Sequence, residues 1–193
     1  MPKETMTPRE RWLAVLQRRT PDRVPMDYWT TAEAQEKLLK YLGLADEMAL
    51  LKRLHIDRPF SVSPRYVGPP IPDDQDVYGI TYKNVDYGTG VYREAVVHPL
   101  AAYTSVEEIE ANYHWPDPDW WDYSDLPAQI APYEEYPIRG GGSEPFLIYK
   151  NLRGQEQAFM DLVLYPEIVH YCLDRLFELA YQNTLRIYEA IPG

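Results

Sequence analysis

Two arginines and two aspartates in the first third of the chain carry the side chains best suited to chemistry. Arg58 and Arg65 lie seven residues apart in HIDRPFSVSPRY, and a guanidinium can hold a carboxylate or a phosphate through paired hydrogen bonds. Asp27 stands near the carboxyl end of the extended segment Val24-Pro25-Met26-Asp27-Tyr28, where a polar group can meet a ligand. Asp57 precedes Arg58 directly. From its neighbours alone it serves to cap or to pair with Arg58 or Arg65, fixing the loop, and the two arginines serve equally as partners of the abundant surface acids.

Other chemistry-bearing types give weaker signals. Cys172 falls on the apolar face of a helical repeat with Val169, Leu173, Leu176 and Ala180, and has no His or Cys at ligand spacing. It reads as a packing thiol. His55, His98 and His114 are isolated and His170 points to another side of that helix, so no metal is assigned. Gly140-Gly141-Gly142 lacks the spacing of a phosphate-cradling loop and reads as a flexible turn, or as room for a substrate beside the backbone. The aromatics between Tyr113 and Tyr123 alternate with Asp117, Asp119 and Asp122, an acidity that opposes base stacking.

These residues must be positioned by elements with strong local signals. Thr7 with Glu10 three residues on, and Pro8 at the first helical position, start a helix whose Trp12, Val15 and Leu16 share a face. Thr20-Pro21-Asp22 forces a turn before the extended Val24–Tyr28 segment. Thr30 to Glu33 offers a second capping box, with Gly43 as the stop, and Asp46 caps a third helix. His55–Val62 turns extended, because Pro59 restricts Arg58 to the β region. Val77–Val85 and Val91–Val97 flank Asp86-Tyr87-Gly88-Thr89-Gly90 as a hairpin. Ser105 caps a short helix, and Tyr136–Arg139 forms a further strand running into the glycines. Helical sequence follows from Pro145, breaks at Gly154 and restarts at Pro166. The class is α/β.

Composition bounds the function. With 193 residues, 45% of them hydrophobic, the chain can bury a core of one domain, or one and a fraction. A net charge of −11 opposes nucleic-acid and anionic-membrane partners, which need clustered Lys and Arg. One cysteine excludes an intrachain disulfide, and the polar start has no signal-peptide pattern. The expectation is a cytoplasmic protein acting on a small molecule.

Four stretches carry a family resemblance: RERWLAVLQRRTPDRVPMDYW, HIDRPFSVSPRYVGPP, YGITYKNVDYGTGVYREAVVHPL and EPFLIYKNLRGQEQAFMDLVLYPE. In this order they resemble the uroporphyrinogen decarboxylase superfamily, which includes carboxy-lyases and corrinoid-dependent methyltransferases. The resemblance implies a (β/α)8 barrel, a fold of about 250 residues. Residues 1–193 would then be one incomplete barrel domain, its amino-terminal part, with residues 77–98 as an inserted hairpin. Ile191-Pro192-Gly193 would fall where another strand begins. The third strand would be an open edge, inviting homo-oligomerisation or a partner.

The same resemblance implies site residues. Asp57 corresponds to the aspartate that holds the pyrrole N–H groups of the decarboxylase substrate, with Asp27, Arg58, Arg65, Tyr66 and Arg139 on the same active face. The family's tyrosine before the later helix falls at Tyr149 or Lys150. The family's arginine-rich run after the first strand is replaced by Trp29-Thr30-Thr31-Ala32-Glu33-Ala34, which argues against a tetrapyrrole substrate. The methyltransferase branch is closer at Ser63–Pro69, but its zinc ligands and corrinoid contacts belong to the later half, so no cofactor is assigned to this chain. Three readings stay open: part of a lyase or methyl-transfer enzyme, inactive alone; a non-catalytic oligomerising or partner-binding half-barrel; and a truncated product without selected function.

Overall fold

The computed structural model describes residues 4–191; Pro192 and Gly193, where a further strand was expected to begin, lie outside the described residues. In chain order the elements are α1 (Pro8–Leu16), α2 (Ala32–Leu42), α3 (Glu47–Arg53), β1 (Phe60–Ser61), β2 (Arg65–Tyr66), β3 (Thr81–Asp86), β4 (Val91–Val97), α4 (Val106–Asn112), β5 (Trp121–Asp122), α5 (Leu126–Ile130), β6 (Ile138–Arg139), α6 (Pro145–Arg153), α7 (Gln155–Leu164) and α8 (Pro166–Ala190). They form two compact units. The first is Met1–Ser63 with Leu126–Gly140, and the second is Pro64–Asp125 with Gly141–Gly193.

In the first unit the helix starts are those the sequence dictates. Thr7 Oγ1 accepts from the Glu10 N–H at 3.2 Å and Glu10 accepts from the Thr7 N–H at 2.8 Å, closing the capping box. Asp46 caps α3 by accepting from Ala49. The cap of α2 is Thr31, accepting from Ala34, one residue later than the expected box, and Gly43 ends that helix at φ +64°. The apolar face of α1 differs from expectation. Arg11 and Ala14 are buried while Leu16 is 73% exposed, because the Arg11 guanidinium is drawn inward by two carboxylates. Its contiguous core cluster is Leu51, Ile56, Phe60 and Tyr136, with Phe60 stacked on Tyr133 at 3.9 Å, and Ala14, Leu50, Val62 and Leu126 are buried outside that cluster.

The second unit has a larger core. Ile80, Leu100 and Ile109 meet Tyr149 and Leu152 of α6, Ala158 of α7, and Ile168, Val169, Cys172 and Leu176 of α8. The hairpin forms as expected, with β3 and β4 antiparallel from Thr81↔Val97 to Asp86↔Val91. Its inner side chains Tyr82 and Ala95 pack on that core. Gly141, at φ +69°, lies against α8 so closely that a Cβ would meet Thr184 Oγ1 at 2.5 Å. The glycine turn is a close backbone approach at this point, with no room left beside Gly141 for a substrate.

The incomplete (β/α)8 barrel is not what the chain forms. The described strands make three separate two-stranded sheets: β1 with β6 in parallel, β2 with β5 antiparallel, and the hairpin. A barrel needs a continuous parallel ladder, and the β1–β6 pairing extends over two residues only, Phe60↔Ile138 and Ser61↔Arg139. Val24–Tyr28 forms no strand. Pro25 lacks a donor, and Met26 is fastened to Asp57, by Asp57 N–H to the Met26 carbonyl at 2.7 Å and by Met26 N–H to the Asp57 carboxylate at 2.9 Å. A side chain takes the place of a ladder partner, so the hairpin is an excursion from no barrel.

Candidate functional site

The chemistry of the first unit converges on Asp57, which is buried. Arg11 reaches it from α1, with Nη1 donating to Oδ1 at 2.5 Å. Arg23 reaches it from the turn after α1, donating at 2.5 Å to Oδ2 and at 3.0 Å to Oδ1. With the Met26 N–H these donors fill the accepting positions of the carboxylate. The backbone carbonyl of Asp57 accepts from Trp12 Nε1 at 2.7 Å. Asp57 therefore binds through its main chain and its side chain together, and no accepting position faces a ligand.

Asp22 completes the cluster. It takes Arg11 Nε at 2.7 Å and Nη2 at 3.1 Å, together with the N–H groups of Thr5 and Met6. The Arg11 guanidinium holds its carboxyl far below the usual carboxylate range, and these two amides act in the same direction. Asp22 in turn raises the Arg11 pKa. Arg23 also donates to Glu4 at 2.8 Å and to the His55 carbonyl at 2.9 Å. Charges alternate through the cluster, which is the condition under which buried ions are tolerated.

A second polar cluster lies in the other unit. Arg153 Nε donates to Asp161 Oδ2 at 2.6 Å, Tyr149 OH to the same oxygen at 2.5 Å, and Gln157 to Oδ1 at 2.7 Å. Arg153 Nη2 adds a longer bond to Oδ1 at 3.2 Å, and Nη1 donates to the carbonyls of Leu100 and Tyr103. Burial works to raise the Asp161 pKa, but these donors outweigh it and the net shift is downward. Burial, reinforced by Asp161, raises the Tyr149 phenol. Tyr149 is thus a fixed donor inside the core.

The remaining sequence candidates are scattered. In the first unit Asp27 is exposed and accepts from Tyr28 N–H and Trp29 Nε1, Arg58 pairs with Glu47 at 2.8 Å, and Arg139 donates to Ser61 at 3.2 Å. In the second, Arg65 pairs with Asp122 at 2.5 Å, Tyr66 OH donates to the Pro69 carbonyl at 2.8 Å, and Lys150 sits half-buried on α6. Asp57 pairs with neither Arg58 nor Arg65. Sequence reading missed Arg11, Asp22, Arg23, Arg153 and Asp161. Arg11 was legible only as a charge one turn from Ala14, and Arg153 and Asp161 only as opposite charges flanking the Gly154 break.

A surface cleft of about 340 Å³ in the first unit is lined by Met48, Lys52, Pro132, Glu134, Glu135 and Tyr136, with none of the sequence candidates among them. Burial raises the Tyr136 phenol. Among the described residues no group of three or more His, Cys, Asp or Glu side chains converges as a metal would require. Cys172 of α8 is buried in the core, and burial pushes its thiol up to about 12. Among the described residues no helix is long and apolar enough to cross a membrane. Comparison with family models, with curated proteins and with solved structures found no match.

Proposed function

We propose that this chain is the amino-terminal portion of a uroporphyrinogen decarboxylase-like enzyme, with carboxy-lyase or methyl-transfer chemistry, and that it contributes framework and positioning while further polypeptide supplies reacting groups. The enzymatic part of this reading rests on the four resembling stretches, and the observation that supports the framework role is the filled carboxylate of Asp57. An aspartate that anchors a substrate N–H needs an accepting position open to a cavity, and Arg11, Arg23 and Met26 occupy those of Asp57.

On this reading Asp57 is a positioning residue. It fixes Met26 through both the N–H and the carbonyl, and so places the next residue, Asp27, whose carboxylate is exposed. Asp27 is then the acid available to a small-molecule substrate. Glu33, standing where the related enzymes carry arginines, favours a substrate with fewer carboxylates than a uroporphyrinogen.

The test begins with the intact mass from the native source and the coding sequence beyond Gly193. The extended polypeptide and the 193-residue chain are then assayed for carbon dioxide release from pyrrole carboxylates and for methyl transfer from methylcobalamin to a thiol. The expected result is activity in the extended form only, with Asp57→Asn lowering activity and thermal midpoint together and Asp27→Asn lowering activity alone. Turnover by the shorter chain, abolished by Asp57→Asn at unchanged stability, overturns the framework role. An extended polypeptide inactive in both assays overturns the enzymatic one.

A further inference from the structure

The side of α8 turned away from the core carries Phe177, Tyr181, Leu185 and Tyr188, which are 58, 58, 39 and 68% exposed. At about 100° per residue they fall on one stripe, roughly 16 Å long. Exposed aromatics at this spacing form the seam by which a helix receives another helix. The stripe has a charged border on one side only, where Asp174, Glu178 and Glu189 follow it, all exposed.

The bases of α8 do not answer these acids. Arg175 lies over the Tyr171 ring and 3.9 Å from Glu110, and Arg186 pairs with Asp119 at 2.7 Å. Among the described residues none of the three acids forms an ion pair. The stripe therefore offers an apolar seam with one negative flank that no base answers, Glu178 accepting from the Gln182 amide at 2.8 Å.

We propose that this stripe docks an amphipathic helix of a partner polypeptide, one with apolar residues at heptad spacing and Lys or Arg along the flank that meets Asp174, Glu178 and Glu189. The apolar seam supplies burial and the flank supplies partner choice, the division of labour of paired helices. A second copy of the chain is disfavoured, because it would bring its own three acids to the seam and a net charge of −11 to the complex. An anionic lipid surface meets the same opposition. The inference does not depend on the enzymatic reading.

The test is calorimetric titration of the whole chain with two synthetic 21-residue helical peptides that share a leucine seam and differ only in a lysine or a glutamate flank. The lysine peptide is expected to bind about tenfold or more tightly than the glutamate one, and to weaken as salt rises. Replacing Asp174, Glu178 and Glu189 together by lysine reverses that preference, and Tyr181→Glu abolishes binding of either peptide. All four positions are on the surface, and thermal melts verify that the variants are folded. Equal binding of the two peptides, or no binding of the lysine peptide, overturns the proposal. So does a sedimenting dimer that Tyr181→Glu dissociates, which would assign the seam to a second copy.

Discussion

The two units bury charge in opposite ways. In the second, Arg153 and Asp161 lie eight residues apart on successive helices, enclosed by a core of ten buried hydrophobic residues. In the first, Asp57 gathers Arg11 from 46 residues upstream and Arg23 from 34, beside a contiguous cluster of four, with Ala14, Leu50, Val62 and Leu126 buried outside it. Where apolar material is plentiful the ion pair completes a local joint. Where the buried apolar residues are dispersed, ion pairs connect segments that no ladder joins, so the first unit leans on long-range electrostatics and the second on one contiguous core.

The largest test of that contrast is Asp161→Ala. It leaves the Arg153 guanidinium buried without a counter-charge, so a loss of about 4 kcal/mol is expected in urea unfolding of the second unit. Asp57→Ala removes the carboxylate that two guanidiniums share, but Arg11 keeps Asp22 and the partly exposed Arg23 keeps Glu4, so a loss of about 3 kcal/mol is expected, read from hydrogen exchange of α1. Unchanged exchange of the α1 amides in Asp57→Ala breaks the contrast.

The pH extremes sharpen it. Asp22 and Asp161 both titrate below their unfolded values, so their contributions are complete above about pH 4 and are lost as pH falls through the folded pKa values. Tyr78 and Tyr82, both in the second unit, are raised to about 12, burial being the first cause in each. Their contribution is complete below the unfolded tyrosine pKa near 10 and is lost as pH rises through the folded value. Tyrosinate absorbance with circular dichroism is expected to show alkaline loss of the hairpin and its core, with amides of the Asp22 cluster opening first in acid. The smallest effect is Thr7→Ala, which removes one half of a capping box and is expected to cost about 1 kcal/mol in thermal unfolding.

The legible parts of the fold were those specified within a few residues. Thr7, Asp46 and Ser105 cap helices because each side chain reaches an amide three residues on. The Asp86–Gly90 turn joins two β-rich runs, and the hairpin follows. The illegible parts are long-range. Nothing near Arg11 distinguishes it from a solvated helix arginine, and its burial is decided by Asp22 and Asp57 after the chain has turned back. For the same reason Asp57 was assigned its sequence neighbours Arg58 and Arg65 as partners, when Arg11 and Arg23 hold it. The resemblance to barrel enzymes supplied extended segments, but only two-residue ladders formed.

The hairpin also determines which strands its free edge will accept. β4 pairs with β3 on one side, and among the described residues no strand pairs with its other edge. Two copies of an antiparallel edge meet about a dyad normal to the sheet, and one register alone matches all seven residues. That register sets Glu94 against Glu94 at its centre, each already paired across the hairpin with Lys83 at 3.1 Å. The strand thus meets its own kind with two ion pairs at the midpoint in place of two bare carboxylates.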